Sequence, residues 1–174
     1  MQHLVLGGAR SGKSHYAEQL ALTSHKEVIY IATGSAGDDE MQTRIEKHQA
    51  DRPKHWQTIE EPILLADLIE RYANTRHCLL VDCLTLWLSN ILFDSQGNYQ
   101  EDVFLQQKQA LLNELPHLHS DIILVSNEVG SGIVPMDSMS RRFVDEAGRL
   151  HQQLAKLCSH VTLVTAGLAQ QLKQ

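Results

Sequence analysis

The sequence predicts an α/β fold, in which helices cover the faces of a doubly wound, mostly parallel β-sheet. Apolar runs alternate with segments of helical pattern along the chain, which is the order typical of this class. The apolar runs are continuous, as expected of parallel strands that are buried on both faces. Because the 174 residues show no repeat and no linker-like stretch, residues 1–174 are predicted to form a single domain.

Five strands and five helices are predicted from these patterns. The strands are residues 3–6, 27–32, 78–82, 121–126 and 161–165. The helices that separate them are residues 14–22, 62–73, 84–93, 101–115 and 138–158. Pro62 suits the first turn of its helix, because an N–H at that position would have no helical partner. The last helix carries apolar side chains at alternating spacings of four and three residues, which predicts one buried stripe.

A glycine-rich segment between the first strand and the first helix matches the motif G-x-x-x-x-G-K-[ST] at every fixed position. This phosphate loop comprises Gly7, Gly8, Ala9, Arg10, Ser11, Gly12, Lys13 and Ser14. The backbone N–H groups of such a loop surround phosphate oxygens, and the following helix presents its positive end. Lys13 then reaches the β- and γ-phosphates, and Ser14 ligates Mg²⁺. A chance glycine turn is the alternative, but the flanking strand and helix favour a nucleotide site.

Two carboxylates follow predicted strands, at the edge of the sheet where ligands bind in open α/β folds. Asp82 ends the third strand, where phosphate-loop proteins hold Mg²⁺ directly or through water. Its alternative role is to cap the helix that begins near Leu84. Glu128 follows the fourth strand, in a loop shaped by two glycines and a proline. It is a candidate to orient a substrate hydroxyl or to act on Mg²⁺, with a loop salt bridge as the alternative.

Residues 34–61 form a polar insertion between the second strand and the next helix, and connections of this length are usually functional. Residues 38–50 within it have a helical pattern. His48 shares a face of that helix with Arg44, and a histidine imidazole is a competent nucleophile toward phosphorus. A half-buried histidine that only packs under the insertion explains the same pattern, and side-chain chemistry does not decide between the two.

The composition limits the partners and the compartment. The chain carries 21 acidic and 15 basic residues for a net charge of −6, which argues against a nucleic-acid-binding surface. No apolar run approaches the roughly 18 residues that span a bilayer, and the N-terminus has no signal-peptide pattern. Cys78, Cys83 and Cys158 are scattered and odd in number, so we expect reduced thiols in a cytoplasmic protein.

Several motifs taken together resemble one family closely. They are the phosphate loop, Tyr-Ile-Ala-Thr at 30–33, Asp-Asp-Glu-Met at 38–41, Arg-Ile-x-x-His at 44–48, Arg-Pro at 52–53, Val-Asp-Cys-Leu-Thr-Leu-Trp at 81–87 and Asn-Glu-Val-Gly-x-Gly-Ile-Val-Pro at 127–135. The family is the bifunctional adenosylcobinamide kinase / adenosylcobinamide-phosphate guanylyltransferase of cobalamin biosynthesis. The resemblance covers essentially the whole chain, and the histidine-containing and Asn-Glu-Val-Gly motifs are its more specific parts.

The resemblance implies two reactions. The γ-phosphate of ATP or GTP goes to the aminopropanol hydroxyl of adenosylcobinamide, and GMP is then transferred from GTP to that phosphate, giving adenosylcobinamide-GDP and pyrophosphate. The second transfer runs through a guanylyl-histidine, whose match in this sequence is His48. A RecA-like fold and a homotrimer are implied as well. The implied nucleotide contacts in and beside the insertion are Thr33, Arg52, Pro53, Trp56 and Glu60.

Two other functions fit the same motifs in part. A small-molecule kinase without guanylyl transfer would use the phosphate loop and leave His48 with a structural role. A non-catalytic nucleotide-binding module would bind GTP and turn over nothing. The sequence also departs from the family at His151, where the resemblance leads us to expect asparagine.

Overall fold

The computed structural model describes residues 1–34, 53 and 55–174, and these form a seven-stranded sheet with helices packed on it. The strands are β1 (Gln2–Gly7), β2 (Glu27–Ala32), β3 (Gln57–Glu60), β4 (His77–Asp82), β5 (Asp121–Asn127), β6 (His160–Thr165) and β7 (Leu168–Lys173). The helices are α1 (Lys13–Thr23), α2 (Leu65–Tyr72), α3 (Leu84–Leu92), α4 (Glu101–Glu114) and α5 (Ser138–Leu157), with a 3-10 turn at Leu115–His117. The predicted helix 38–50 lies outside the described residues.

The sheet runs in the order β3-β2-β4-β5-β1-β6-β7. Every neighbouring pair is parallel except β6 and β7, which are antiparallel. The mostly parallel sheet predicted from the continuous apolar runs is therefore confirmed. Because the strands are parallel, the carboxyl ends of β1, β2, β3, β4 and β5 all meet at one edge, where the loops that follow them can build a single site.

Two strands were missed by the sequence prediction. β3 has the sequence Gln-Thr-Ile-Glu and β7 has Leu-Ala-Gln-Gln-Leu-Lys, and neither is a continuous apolar run. Both lie at the outer edges of the sheet, where one side of the strand has no neighbour among the described residues and side chains remain largely exposed. An edge strand does not need the apolar composition that reveals a central one.

The helix predicted over residues 62–73 begins later, at Leu65. The Glu61 carboxylate explains this start, because its Oε1 accepts from the backbone N–H groups of Ile63 (2.9 Å) and Leu64 (2.7 Å). The indole of Trp87 donates to the Ile63 carbonyl at 2.9 Å. These bonds hold the segment after Pro62 as a turn, so the proline precedes the helix and does not form its first turn.

Alternating side chains divide the buried residues between the two faces of the sheet. On β4, Leu79 and Val81 join the larger core, to which α2, α3, α4 and α5 contribute. Cys78 and Leu80 join the smaller core, where α1 packs. We call this second side the α1 face. No helix in the described part of the chain is long and apolar enough to cross a membrane.

Candidate active site

The phosphate loop leaves the carboxyl end of β1, inside the sheet, and enters α1. Gly7 has no room for a side chain, because a Cβ atom there would lie 2.6 Å from the Val164 carbonyl oxygen and would collide with the Ser11 hydroxyl. Gly12 has a φ of 93°, a left-handed conformation that glycine adopts without strain. Two of the motif glycines are thus required by the shape of the loop itself.

Lys13 is the first residue of α1 and folds back over the loop. Its ammonium group donates a long hydrogen bond, 3.4 Å, to the Gly8 carbonyl. The charge also acts on the Cys83 thiol, at the end of β4: burial raises the pKa of this thiol, and the Lys13 ammonium is among the groups that oppose the rise. Lys13 is therefore within electrostatic reach of the strand that carries Asp82, and its weak bond to Gly8 leaves it available to a phosphate.

Asp82 ends β4 on the α1 face, as the alternation after Cys78 and Leu80 requires. The hydroxyl of Tyr30, from the neighbouring strand β2, donates to Asp82 Oδ2 at 3.0 Å and orients the carboxylate. The capping role that the sequence left open is wrong, since Cys83 is the N-cap residue of α3 and no side chain caps that helix. The sequence analysis missed Tyr30, although alternation along β2 places this residue on the same face of the sheet as Asp82.

Thr33 connects the ends of β2 and β4. Its hydroxyl donates to the Cys83 carbonyl at 2.6 Å and accepts from the Cys83 N–H at 2.9 Å. The residue is fully buried, so its side chain offers no surface to a ligand. The structure therefore gives the Thr33 side chain a role in positioning the Asp82–Cys83 strand end, and this differs from the nucleotide contact expected from the resemblance.

The other residues expected to contact nucleotide fall into two groups. His48 and Arg52 lie outside the described residues. Among the described ones, Glu60 is exposed on β3, opposite Ala32, and Pro53 is half-buried. Trp56 is 7% exposed and packs into the core of the α1 face, where its indole N–H has no partner among the described residues. Trp56 is therefore a core residue of the α1 face, with little of its side chain exposed to a ligand.

Glu128 stands just beyond β5 and shapes the loop that follows. Its Oε1 accepts from the Gly130 N–H at 2.8 Å and its Oε2 from the Ser131 N–H at 3.2 Å. Partial burial raises the pKa of this carboxyl, but its hydrogen bonds to Ser131 and Gly130 outweigh burial and lower the pKa overall. The Glu128 carboxyl is thus ionised at neutral pH. Its partners in the loop are backbone N–H groups, whereas the alternative from the sequence was a loop salt bridge.

His151 lies behind this loop. Its Nε2 is 2.7 Å from the Ser126 hydroxyl of β5. Burial lowers the pKa of the imidazole, while the Glu128 carboxylate raises it, and burial prevails. The histidine found where asparagine was expected is therefore neutral at physiological pH and bonds the strand that leads to Glu128.

The comparison with known families gives a match along nearly the whole chain. The family described as cobinamide kinase / cobinamide phosphate guanyltransferase matches residues 3–172. The chain belongs to this family. It is 52% identical over 173 residues to the bifunctional adenosylcobalamin biosynthesis protein CobP of Pseudomonas aeruginosa, covering 99% of this chain and 98% of that protein. It is 42% identical over 182 residues to CobU of Escherichia coli, covering 99% and 100%.

Solved structures outside the family share the fold of this chain. The crystal structure of the RadB recombinase superposes with a TM-score of 0.53 over 93% of this chain and 73% of that chain, at 14% identity. A structure titled as project PH0250 from Pyrococcus horikoshii gives a TM-score of 0.55 at 9% identity, covering 99% and 86%. At this identity the likeness concerns the fold alone, and it confirms the predicted RecA-like phosphate-loop architecture.

Proposed function

We propose that this chain catalyses both reactions of its family: phosphorylation of adenosylcobinamide with ATP or GTP, and transfer of GMP from GTP to adenosylcobinamide phosphate. One observation carries the proposal. The phosphate loop and the Asp82 carboxylate lie at one edge of the sheet, Asp82 on the face covered by α1, and Lys13 of the loop acts electrostatically on Cys83, the residue after Asp82. This arrangement supports a triphosphate and a cation together, and family membership supports the identity of the acceptor.

The proposed nucleotide site uses the loop N–H groups and the start of α1 to hold phosphate oxygens. Lys13 would exchange its 3.4 Å bond to Gly8 for the β- and γ-phosphates. A hydroxyl from Ser14 and the carboxylate of Asp82 are the hard oxygen donors that Mg²⁺ prefers, and Tyr30 already orients the carboxylate. Bound there, Mg²⁺ would neutralise charge on the transferring phosphoryl group.

Guanylyl transfer is assigned to His48 as nucleophile. A ring nitrogen attacks the α-phosphorus of GTP, so that an N–P bond forms while the bond to the bridging oxygen breaks and pyrophosphate leaves with the electron pair. A phosphate oxygen of the acceptor then attacks the same phosphorus, and the imidazole leaves with the electron pair of the N–P bond. Two in-line displacements replace one encounter between two anions, which is what covalent catalysis offers.

Arg52, Pro53 and Glu60 remain the proposed contacts to the guanylyl group, together with the part of the insertion that carries His48. Glu60 is exposed at the end of β3, and a carboxylate there can accept from guanine N1 and N2. Glu128 is proposed to contact the acceptor substrate, adenosylcobinamide. Its lowered pKa makes it a hydrogen-bond acceptor for a substrate hydroxyl and a poor proton-abstracting base at neutral pH.

We also propose that the protein is a cytoplasmic homotrimer, with the number three taken from the family resemblance. Self-association is supported by the loop after Glu128, where Ile133, Val134 and Met136 are 98%, 73% and 96% exposed. A contiguous apolar surface of this kind usually marks a contact. Light scattering of the wild type and of an Ile133→Ser/Met136→Ser variant tests this, and a monomeric wild type would contradict it. Three free cysteines suit a reducing compartment.

Labelled nucleotides test the two reactions separately. Incubation with α-labelled GTP is expected to leave an acid-labile, base-stable adduct on the wild type and none on His48→Ala. His119→Ala, which removes an exposed histidine, is the matched control and should label fully. Phosphate transfer from γ-labelled ATP to adenosylcobinamide should survive His48→Ala and be lost in Lys13→Ala. An unlabelled wild type, or full labelling of His48→Ala, would refute the histidine mechanism.

A further inference from the structure

Asn127 lies between the phosphate loop and the Asp82 carboxylate, which are the two parts of the proposed phosphate site. It is the last residue of β5, and its Cα pairs with that of Gly7 at the start of the phosphate loop. The next backbone N–H, of Glu128, donates to the Gly7 carbonyl at 3.0 Å. The end of β5 is thus bonded directly to the end of β1.

The alternation along β5 decides which way Asn127 faces. Ile123 and Val125 pack into the core of the α1 face, so Asn127, two residues further on, belongs to the same face. Asp82 on the next strand also lies on this face, and its Cα pairs with Val125. Since β5 runs between β1 and β4, Asn127 stands between the phosphate loop and the Asp82 carboxylate, one step further toward the carboxyl edge.

One atom of the Asn127 side chain, the amide oxygen, is unsatisfied in the described part of the chain. Its Oδ1 is buried and has no hydrogen-bond partner among the described residues. Its backbone N–H donates to the hydroxyl of Thr85 on α3 at 3.4 Å. A buried acceptor without a partner has lost its hydrogen bonds to water and gained none in return, so native proteins rarely leave one without a reason. Rotation of this half-buried side chain toward the edge would break no side-chain hydrogen bond to the residues that the structure describes.

We propose that Asn127 is a catalytic residue of the kinase reaction, which contacts both the γ-phosphoryl group and the attacking hydroxyl. An amide can do both at once: Nδ2–H donates to a γ-phosphoryl oxygen, and Oδ1 accepts from the acceptor O–H. The hydroxyl oxygen forms a bond to the γ-phosphorus while the bond to the β-bridging oxygen breaks, and the nucleoside diphosphate leaves with that electron pair. The hydroxyl proton passes to a phosphoryl oxygen, since an amide cannot take it.

This inference rests on the proposed kinase function, and its test has a readout that does not need the acceptor. In Asn127→Ala, we expect kcat for phosphate transfer to fall about 100-fold, the size of the loss when one preorganised donor is removed. Guanylylation of the protein by GTP occurs at the α-phosphorus and should change less than about threefold. The control is Asn113→Ala, an exposed asparagine on α4, which should behave as wild type.

Nucleotide binding supplies the independent readout. With Mg²⁺ present, the wild type should bind a non-hydrolysable ATP analogue more tightly than ADP, and Asn127→Ala should lose most of that preference while binding ADP normally. If the wild type phosphorylates no cobinamide, the proposed function fails, but the change in the binding ratio still tests Asn127. An unchanged ratio with unchanged kcat, or an equal loss in both half-reactions together with a lowered Tm, would overturn the inference.

Discussion

The backbone N–H of Gly167 donates to the carbonyl of Ser11 at 2.8 Å, so the turn between β6 and β7 is bonded to the middle of the phosphate loop. The turn consists of Ala166 and Gly167, with φ values of 52° and 78°, and a Cβ on Gly12 would lie 3.2 Å from the Gly167 Cα. The last hairpin of the sheet therefore braces the loop from the side opposite to β5.

Gly167→Ala is expected to loosen this brace. A side chain in the left-handed region costs about 1 kcal/mol, and relief of that strain would move the N–H away from Ser11. We expect a lower Tm and a several-fold weaker affinity for GTP, measured by calorimetric titration. Unchanged affinity in a folded variant would show that the phosphate loop holds its shape without the hairpin.

Gly148→Ala is the matched control and a prediction in its own right. Gly148 lies inside α5, outside the left-handed region, and a Cβ there would meet no atom of the described residues within 4 Å. Alanine should stabilise the helix by about 0.5–1 kcal/mol and raise Tm by a few degrees, with no effect on GTP affinity. A loss of stability would mean that this helix face is packed against something the single chain does not contain.

Thr33→Val removes both hydrogen bonds between the Thr33 hydroxyl and the Cys83 backbone while keeping the shape of the side chain. The Cys83 N–H and carbonyl lose this buried partner, so we expect a loss of about 2–3 kcal/mol in the free energy of unfolding. Because Asp82 precedes Cys83, we also expect phosphate transfer to need more Mg²⁺. Thr33→Ser keeps the hydroxyl and should restore the Mg²⁺ requirement. Urea unfolding and Mg²⁺ titration of the kinase assay measure the two effects, and equal behaviour of both variants would contradict this role.

His3 makes the stability of the fold depend on pH. It is buried on β1, 2.7 Å from the Thr162 hydroxyl and stacked on His160 at 5.4 Å between ring centroids. Burial, and secondly the neighbouring His160, lower the pKa of His3 to about 4. Between pH 6.5 and 4 the unfolded chain binds more protons than the folded one, so stability falls as pH is lowered through this range.

His3→Gln is expected to flatten that dependence. Glutamine can still bond to Thr162 but does not titrate, so the part of the pH slope due to His3, up to about 3 kcal/mol between pH 6.5 and 4, should disappear. Urea unfolding followed by circular dichroism at several pH values measures it. The matched control is His119→Gln, at an exposed histidine. A slope equal to that of the wild type in His3→Gln would assign the effect to other groups.

The central strands and the order of strand and helix could be predicted from sequence, because their apolar runs are continuous and local. The edge strands β3 and β7 could not, since an edge position is a property of the sheet and leaves the composition of the strand free. The start of α2 depended on the Glu61 carboxylate bonding two N–H groups, which a proline at position 62 does not reveal.

The candidate site also has residues that the sequence predicts and residues that only the structure reveals. Sequence alone determined the phosphate loop, since its residues are contiguous and their chemistry follows from spacing. It also singled out Asp82 and Glu128 as strand-end carboxylates. Only the tertiary structure decided that Tyr30 orients Asp82, that Thr33 faces inward to Cys83, and that Asn127 pairs with Gly7. These relationships depend on strand order and register, which bring together residues far apart in the chain. The sequence of the intervening residues does not reveal them.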